Sequence, residues 1–532
     1  MKNTDSNSNR REFIGRLGAA LGGVAFAGGG ARFGYGQSAI PNGYNFYCML
    51  QANDGSVYNG QPNPVAEMTA AVMLGTNQKP GGTVGFIYMH GTATDQVRPG
   101  QPAGVFQVNL DYSKSKPQLM YVALNLAQGD TLHNIIDLDP TLQPVVVGRL
   151  GTGACNSSGK YATTIVSQDT SGQASVKSAP GVYIYDPEVG SWTKVAKFGD
   201  PSPDGGLYGG GFGDVAIDDE DNVTIVASTT AAPTVPPIDG ATSSSEGAEL
   251  SSPVNGELTA LGRRRGLLGF NSSQALIHVP GKGKDQPFLL LKTGDMLPGS
   301  NAVIENFGLI DVSKDKQFIV QVNARRLDIP RARSRAAVVQ GPLARRHWTR
   351  GLQELRLVAA PLALSTLRSS SVAVGDCFMG PRIGSSGRAA VITHEAAVIP
   401  GIGANHQHQL FVVDRGVARR LSRVGQRRRQ QQVGAIGAPV LSSASSLTYY
   451  TELMDDGSTQ LIVSDGTTQK TILKSGDQVE GRQVTEILYG YHSTQVDDAG
   501  RLAFAAEFLK NPNGDPTDPN NIVTCLVVGV PA

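Results

Sequence analysis

Short apolar runs rich in Val, Ile, Leu, Phe and Tyr alternate along the chain with clusters of Gly, Asp, Asn, Ser and Pro. That texture predicts strands joined by tight turns, not helices. One frame recurs. Asp497–Phe504 reads Asp-Asp-Ala-Gly-Arg-Leu-Ala-Phe, a turn feeding an apolar strand, and related frames begin at Lys79, Asn156, Asp219, Ser313, Gly384 and Ser443. Gly82, Gly159, Gly387 and Gly500 hold the fourth position, where Asn222, Lys316 and Ser446 stand in the other copies. The chemistry is that of a turn: a short polar side chain caps the backbone and Gly supplies a positive φ.

A second element follows each frame: strand, turn, strand, then Gly-Asp. It spans Val182–Asp200, Leu276–Asp295 and Leu461–Asp477, and Leu410–Gly425 is the same unit without its Asp. Because Asp200, Asp295 and Asp477 recur from unit to unit, they read as turn caps and not as catalytic groups. Each unit is a four-stranded antiparallel meander. The fourth positions lie between 54 and 94 residues apart, a spread that propeller blades tolerate and stacked solenoids do not. The expected fold is all-β, a β-propeller of about seven four-stranded blades. Six or eight remain open because residues 325–371 are hard to phase. Tyr44–Ala52 and Ala66–Leu74 would complete the last blade begun by Arg501–Phe508 and Ile522–Gly529, closing the ring and removing open sheet edges. Cys48 and Cys525 would then be neighbours and are a candidate disulfide.

The first 39 residues break this texture. A polar, basic start is followed by a weakly apolar Gly/Ala-rich run, the layout of a targeting peptide. Arg10-Arg11 with Phe13 resembles the twin-arginine family's signal, with Ile14 and Gly15 in place of its usual Leu and Lys. The resemblance implies export through the twin-arginine translocase, a periplasmic or secreted location, and a mature domain at 40–532. Within that domain a Ser/Thr/Pro/Gly-rich stretch at about 228–260 reads as a flexible insertion. No run is long and apolar enough for a membrane span.

Composition adds limits. Net charge is +1, yet residues 317–469 carry 19 Arg, no Lys and nine acidic residues, leaving the remainder acidic. The segment 325–371 is the most Arg-rich part of this half, and a basic adhesin is one reading of it. Four Cys and no Cys-x-x-Cys exclude a zinc ribbon. Two Trp are too few for a quinoprotein propeller. His394, His406 and His408 place imidazoles at strand spacing suited to a metal, and Asp218, Asp219 and Asp221 offer oxygens for Ca²⁺. No phosphate loop, nucleophile elbow or dinucleotide fingerprint occurs. No cofactor is predicted, no specific nucleic-acid contact is indicated, and a monomer is expected.

The Asn-x-x-Gly-x-x-Ala-Phe frame with its Gly-Asp loop resembles a family of exported bacterial tandem-repeat proteins named for that motif, most closely at Asn156–Thr163 and Asp497–Phe504. Many members carry a C-terminal sorting anchor; the segment ending at Ala532 shows none. The resemblance implies a propeller-like repeat and no particular activity. Tyr185–Val195, with Trp192, resembles a single kelch strand. Two readings follow: a module binding a glycan, peptide or protein of the envelope, or a propeller enzyme (hydrolase, lyase or metal- or quinone-dependent dehydrogenase) with its site in the central channel.

Overall fold

The computed structural model describes residues 40–58, 60–79, 82–167, 180–230, 273–281, 286–329, 332–344, 355–361, 364, 373–399, 403–428, 430–442, 445–511, 513–515 and 518–532. The signal candidates Arg10, Arg11 and Phe13 and most of the 228–260 insertion lie outside them. No helix of the described residues is long and apolar enough to cross a membrane.

The strands assort into seven antiparallel meanders. Blade 1 comprises Val65–Lys79, Gly82–Ala93, Ala103–Asp111 and Gln118–Ala127. Blade 2 is built on Val145–Cys155, Tyr161–Ser167, Gly181–Asp186 and Ser191–Lys197, and blade 3 on Tyr208–Ile217, Val223–Thr229, Ser273–Val279 and Phe288–Lys292. Blade 4 takes Ala302–Val312, Gln317–Arg326, Arg335–Pro342 and Arg356–Ala360, so the Arg-rich 325–371 segment supplies ordinary blade strands. Blade 5 is Asp376–Ile383, Ala389–Ile399, Gly403–Asp414 and Val417–Arg423. Blade 6 runs from Gln431–Ile436 and Val440–Leu441 through Thr448–Met454 and Thr459–Ser464 to Gln469–Lys474. Blade 7 contains Arg482–Ile487, Thr494–Val496, Leu502–Leu509 and Ile522–Pro531, and its outermost strand is Tyr44–Gln51 from the other end of the chain.

Ring closure therefore uses one N-terminal strand, not two. Ala66–Leu74 belongs to the first strand of blade 1, because Val65–Lys79 pairs along its length with Gly82–Ala93. Seven blades accommodate the uneven repeat spacing because only blade faces need to match. Those faces form the core: seven apolar clusters occur among the described residues, one at each blade-to-blade interface. Strand alternation divides each blade between two clusters. In blade 7, Val523, Cys525 and Val527 face blade 6 while Leu526 and Val528 face blade 1. Burial on both faces explains why such strands read as unbroken apolar runs.

The two repeat elements have distinct jobs. At the Gly-Asp loops, the carboxylates of Asp200, Asp295 and Asp477 accept the N–H groups of Lys197, Lys292 and Lys474 at 3.2, 3.0 and 2.9 Å. The preceding Gly N–H donates to the first strand of the next blade, as in Gly199 to Tyr208 O and Gly476 to Val484 O. This loop hands the chain from one blade to the next. The turn frame instead joins first and second strands: Asn156 Oδ1 accepts Lys160 N at 3.0 Å, and Asp497 Oδ1 accepts Arg501 N at 2.8 Å. In blade 3 the phase differs by one from the sequence frame: Asp218 opens the turn and Asp221, not Asn222, takes the positive φ of 64°. Its acidic side chains have partners that hold them there.

Gly159 has φ +83°, and a Cβ there would meet the Phe86 ring at 2.5 Å, whereas at Gly500 (φ +75°) the nearest atom is at 3.5 Å. Gly159→Ala should therefore cost about 2 kcal/mol or more, and Gly500→Ala about 1 kcal/mol. Denaturant midpoints of the two variants check the order; equal losses would contradict it.

Candidate channel-mouth site

The first strand of each blade converges on the ring axis, and the turn frames rim one end. The frames dock on one another. Asn156 Nδ2 in blade 2 donates to Asp218 O and Asp221 Oδ1 in blade 3 at 3.1 and 2.9 Å, and Ser157 N donates to Asp219 Oδ1 at 2.9 Å. Lys316 of blade 4 pairs with Glu220 at 2.8 Å, Asp315 accepts Ser386 N from blade 5, and Arg388 reaches Asp465 O of blade 6 at 3.3 Å. Gly75 is required at the blade 1–2 contact, because a Cβ there would sit 2.0 Å from Asn156 O.

Inside this rim lies a cavity of about 190 Å³ lined by residues from all seven blades. Lys314 straps its mouth. The ammonium lies 3.1 Å from Asp219 in blade 3 and also contacts Asp498 in blade 7. Burial opposes ionisation of Asp219, but hydrogen bonds from Ser157 and the Lys314 ammonium hold its carboxyl below the usual range. Asp497 is paired with Arg501 at 2.6 Å. The rim carboxylates are thus held by named donors.

The floor is a polar cluster. Phe212/Val215, Phe307/Ile310 and Met379/Arg382 bracket register shifts in the first strands of blades 3, 4 and 5. Bulges re-aim side chains, and Asp214, Asp311 and Arg382 stand at or just beyond them. Blade 7 adds Tyr491 and His492 from the segment between Ile487 and Thr494, in which Gly490 and His492 both have positive φ. Its path is fixed by Val72 N, which donates to His492 O at 2.8 Å.

Arg382 is 6% exposed. Its Nη2 lies 3.1 Å from His492 Nδ1, and the guanidinium carbon sits 4.7 Å from the centroid of the Tyr491 ring. Gln495 Nε2 also lies 3.1 Å from His492 Nδ1. Tyr491 Oη donates to Asp214 Oδ2 at 3.0 Å, and the same oxygen accepts Ile310 N at 3.0 Å. Asp311 accepts Ile383 N at 2.9 Å and Val312 N at 3.0 Å. Gly380 leaves room for Tyr491, since a Cβ there would lie 2.3 Å from its ring.

Electrostatics follow from enclosure. Burial, reinforced by the Arg382 guanidinium, pushes His492 well below the ordinary imidazole value, so it is neutral at pH 7. Burial alone brings His90, beside it in blade 1, down to about 4. Burial raises Asp311 against the pull of Arg382, and raises Tyr491 further with the help of Asp214. Arg382 Nε is buried without a hydrogen-bond partner. A cationic donor left unsatisfied is costly, on the order of 1–3 kcal/mol or more. The floor therefore presents one free cationic N–H beside a neutral imidazole.

The sequence candidates fall elsewhere. Asp218, Asp219 and Asp221 diverge, respectively into their own turn, to Ser157 and Lys314, and to Asn156 and Lys160. They do not form a calcium cage. His394 and His408 are cross-strand partners in blade 5 with ring centroids 5.3 Å apart; the His406 side chain lies outside the described residues. No group of three metal-capable side chains occurs among the described residues. The floor residues escaped sequence reasoning because they occupy non-repeating positions. A Gly at the bulged first strand (Gly213, Gly308, Gly380) was the available signal.

No family model matches the chain, and no curated protein matches it by sequence. Among solved structures it is similar to the β-propeller domain of the Trilobed protease from Pyrococcus furiosus, at 10% identity and TM-score 0.38, covering 84% of this chain and 100% of that one. It is similar to polysaccharide lyase Uly1 at 10% identity and TM-score 0.40 over 91% and 97% of the two chains. It is similar to TolB from Acinetobacter baumannii at 10% identity and TM-score 0.31 over 75% and 79%. These likenesses are of fold alone.

The buried neutral histidines set an acid limit. Between pH 6.5 and about 4 the unfolded chain takes up a proton at His90 that the folded chain refuses, so stability present at neutral pH is lost as pH falls through that window. His90→Gln should remove on the order of 2 kcal/mol of the loss, and His90→Gln/His492→Gln more. Denaturant midpoints at pH 7 and 4.5 measure it; an unchanged pH dependence in the double variant would contradict this.

Proposed function

We propose that the protein is an exported propeller that binds a carboxylate-bearing group, at the end of a glycan or peptide, in the channel mouth. The observation that carries this is the buried Arg382, whose unpartnered Nε–H demands an acceptor oxygen. A guanidinium receives a carboxylate as a fork receives its match. The rim acids are compensated by Lys314, Arg501 and backbone donors, and burial favours the uncharged form of Asp311, so Asp214 is the carboxylate with which a ligand shares the Arg382 charge. Lys314 must leave Asp219 and Asp498 and swing aside for entry; its side chain is 42% exposed. The Arg10-Arg11-x-Phe13 opening supports delivery by the twin-arginine translocase to the periplasm or beyond, and cell fractionation of an Arg10→Lys/Arg11→Lys variant tests it.

A catalytic reading has one observation of its own: the neutral His492 beside Arg382. With a uronate carboxylate on Arg382, the C–H next to that carboxylate is acidified. Once Arg382 and Gln495 turn from it, the imidazole Nδ1 takes the proton while the C–O bond to the leaving sugar breaks, leaving a C=C bond and a sugar oxygen that takes its proton from water. That is lyase chemistry on an acidic polysaccharide.

Calorimetric titration with matched uronate and neutral oligosaccharides and with peptides decides the binding claim. Arg382→Lys, which keeps the charge and loses the fork, should weaken carboxylate binding by about tenfold to a hundredfold. Neutral ligands binding as well as carboxylated ones, unaltered in the variant, would sink it. Under the catalytic reading, His492→Gln should lower release of unsaturated product by about 10²-fold or more with binding retained; binding without turnover leaves the binding reading alone.

A further inference from the structure

The strand pair that closes the ring brings two thiols together. Cys48 lies opposite Val527 and Gln51 lies opposite Cys525, with a register shift between Cys48 and Leu50. Cys48 and Cys525 thus stand diagonally across the strand pair, on the face turned to blade 6. Both side chains enter the apolar layer between blades 6 and 7, where each thiol shifts the ionisation of the other. Both are free thiols in this structure. Neither plays a part in the channel site.

The two are not equivalent. Cys48 is half-buried and Cys525 is fully buried. Arg482 Nη1 lies 4.0 Å from Cys525 Sγ, placing a guanidinium beside the pair. The Cys525 thiol, aided by Arg482, holds Cys48 below the usual thiol range, while Cys48 and burial push Cys525 far above it. A thiolate that is accessible and electropositively seated attacks; a buried thiol held against it resolves. Cys155 has no such setting: it sits in blade 2, hydrogen-bonded to Asn156 O, with its thiol pushed up by burial.

We propose that Cys48 and Cys525 are a disulfide-forming pair that clasps the first and last strands of the propeller, with Cys48 the attacking thiol and Cys525 the resolving one. The co-reactant is a small disulfide of the oxidising space outside the cytoplasm. Cys48 thiolate attacks one sulfur of that disulfide, forming a mixed disulfide and releasing one thiolate. Cys525, losing its proton, then attacks Cys48 Sγ and releases the second. Two cysteines are oxidised, one small disulfide is reduced to two thiols, and the two protons leave on those thiols. The clasp ties positions 48 and 525 and so constrains nearly the whole unfolded chain.

The test uses the full mature chain, reduced and then exposed to oxidised glutathione. Wild type should lose the mass of two hydrogens without retaining glutathione, yield a cross-linked peptide joining Cys48 to Cys525, and unfold at a higher temperature than the reduced form. Cys525→Ser should stop at a glutathione adduct on Cys48, and Cys48→Ser should leave Cys525 unmodified in the folded protein. Cys48→Ala serves as a second variant, with circular dichroism reporting that each chain has folded. A cross-link through Cys155 or Cys377, no cross-link at all, or equal modification of the two single variants would overturn the proposal.

Discussion

The interface between Tyr44–Gln51 and Ile522–Pro531 is the constraint on which the rest of the molecule depends. Every blade buries both faces, so no blade is stable without a neighbour on each side. Six interfaces follow from chain order alone. The seventh, between blades 7 and 1, joins Ala503, Leu526 and Val528 to blade 1, and the chain's first strand completes it with Met49 and Leu50. Met49 and Leu50 then pack toward blade 1, while Tyr44 and Phe46 pack toward blade 6, where Tyr44 Oη meets Tyr449 Oη at 2.9 Å. An open blade 7 would expose a long apolar edge. It would also release Tyr491 and His492, which lie in the same blade and reach across the channel.

The turn frames carry that constraint to the mouth. Each is a local device, a capped turn with one residue at positive φ, yet Asn156, Asp219, Lys316 and Asp315 each commit a polar group to a neighbouring blade. A repeat that begins as chain punctuation becomes a ring of docking contacts around the site. Substitution of Asp for Gly at position 221 is affordable there because Lys160 and Asn156 hold its carboxylate.

These frames made the fold legible in the sequence. Strand texture, the Gly at 159 and 500 and the recurring Gly-Asp pairs lead to seven four-stranded blades, because each signals backbone geometry that only a few residue types satisfy. The role of Ala66–Leu74 was not legible: an apolar strand before the first turn frame fits either blade 7 or blade 1, and only long-range pairing decides. Asp214, Asp311, Arg382 and His492 were equally hidden. Successive members lie 71 to 110 residues apart and span 278 in all; they repeat nowhere, and become a site only when bulged strands of blades 3, 4 and 5 meet the Tyr491–His492 segment of blade 7.

The central claim is that Arg382 gives the channel mouth its working chemistry. Titrating the protein with a uronate oligosaccharide and its neutral counterpart, in wild type and in Arg382→Lys, tests it most directly. The account predicts binding of the acidic ligand alone, weakened in the variant. Equal affinity for both ligands, with no change on substitution, would contradict it.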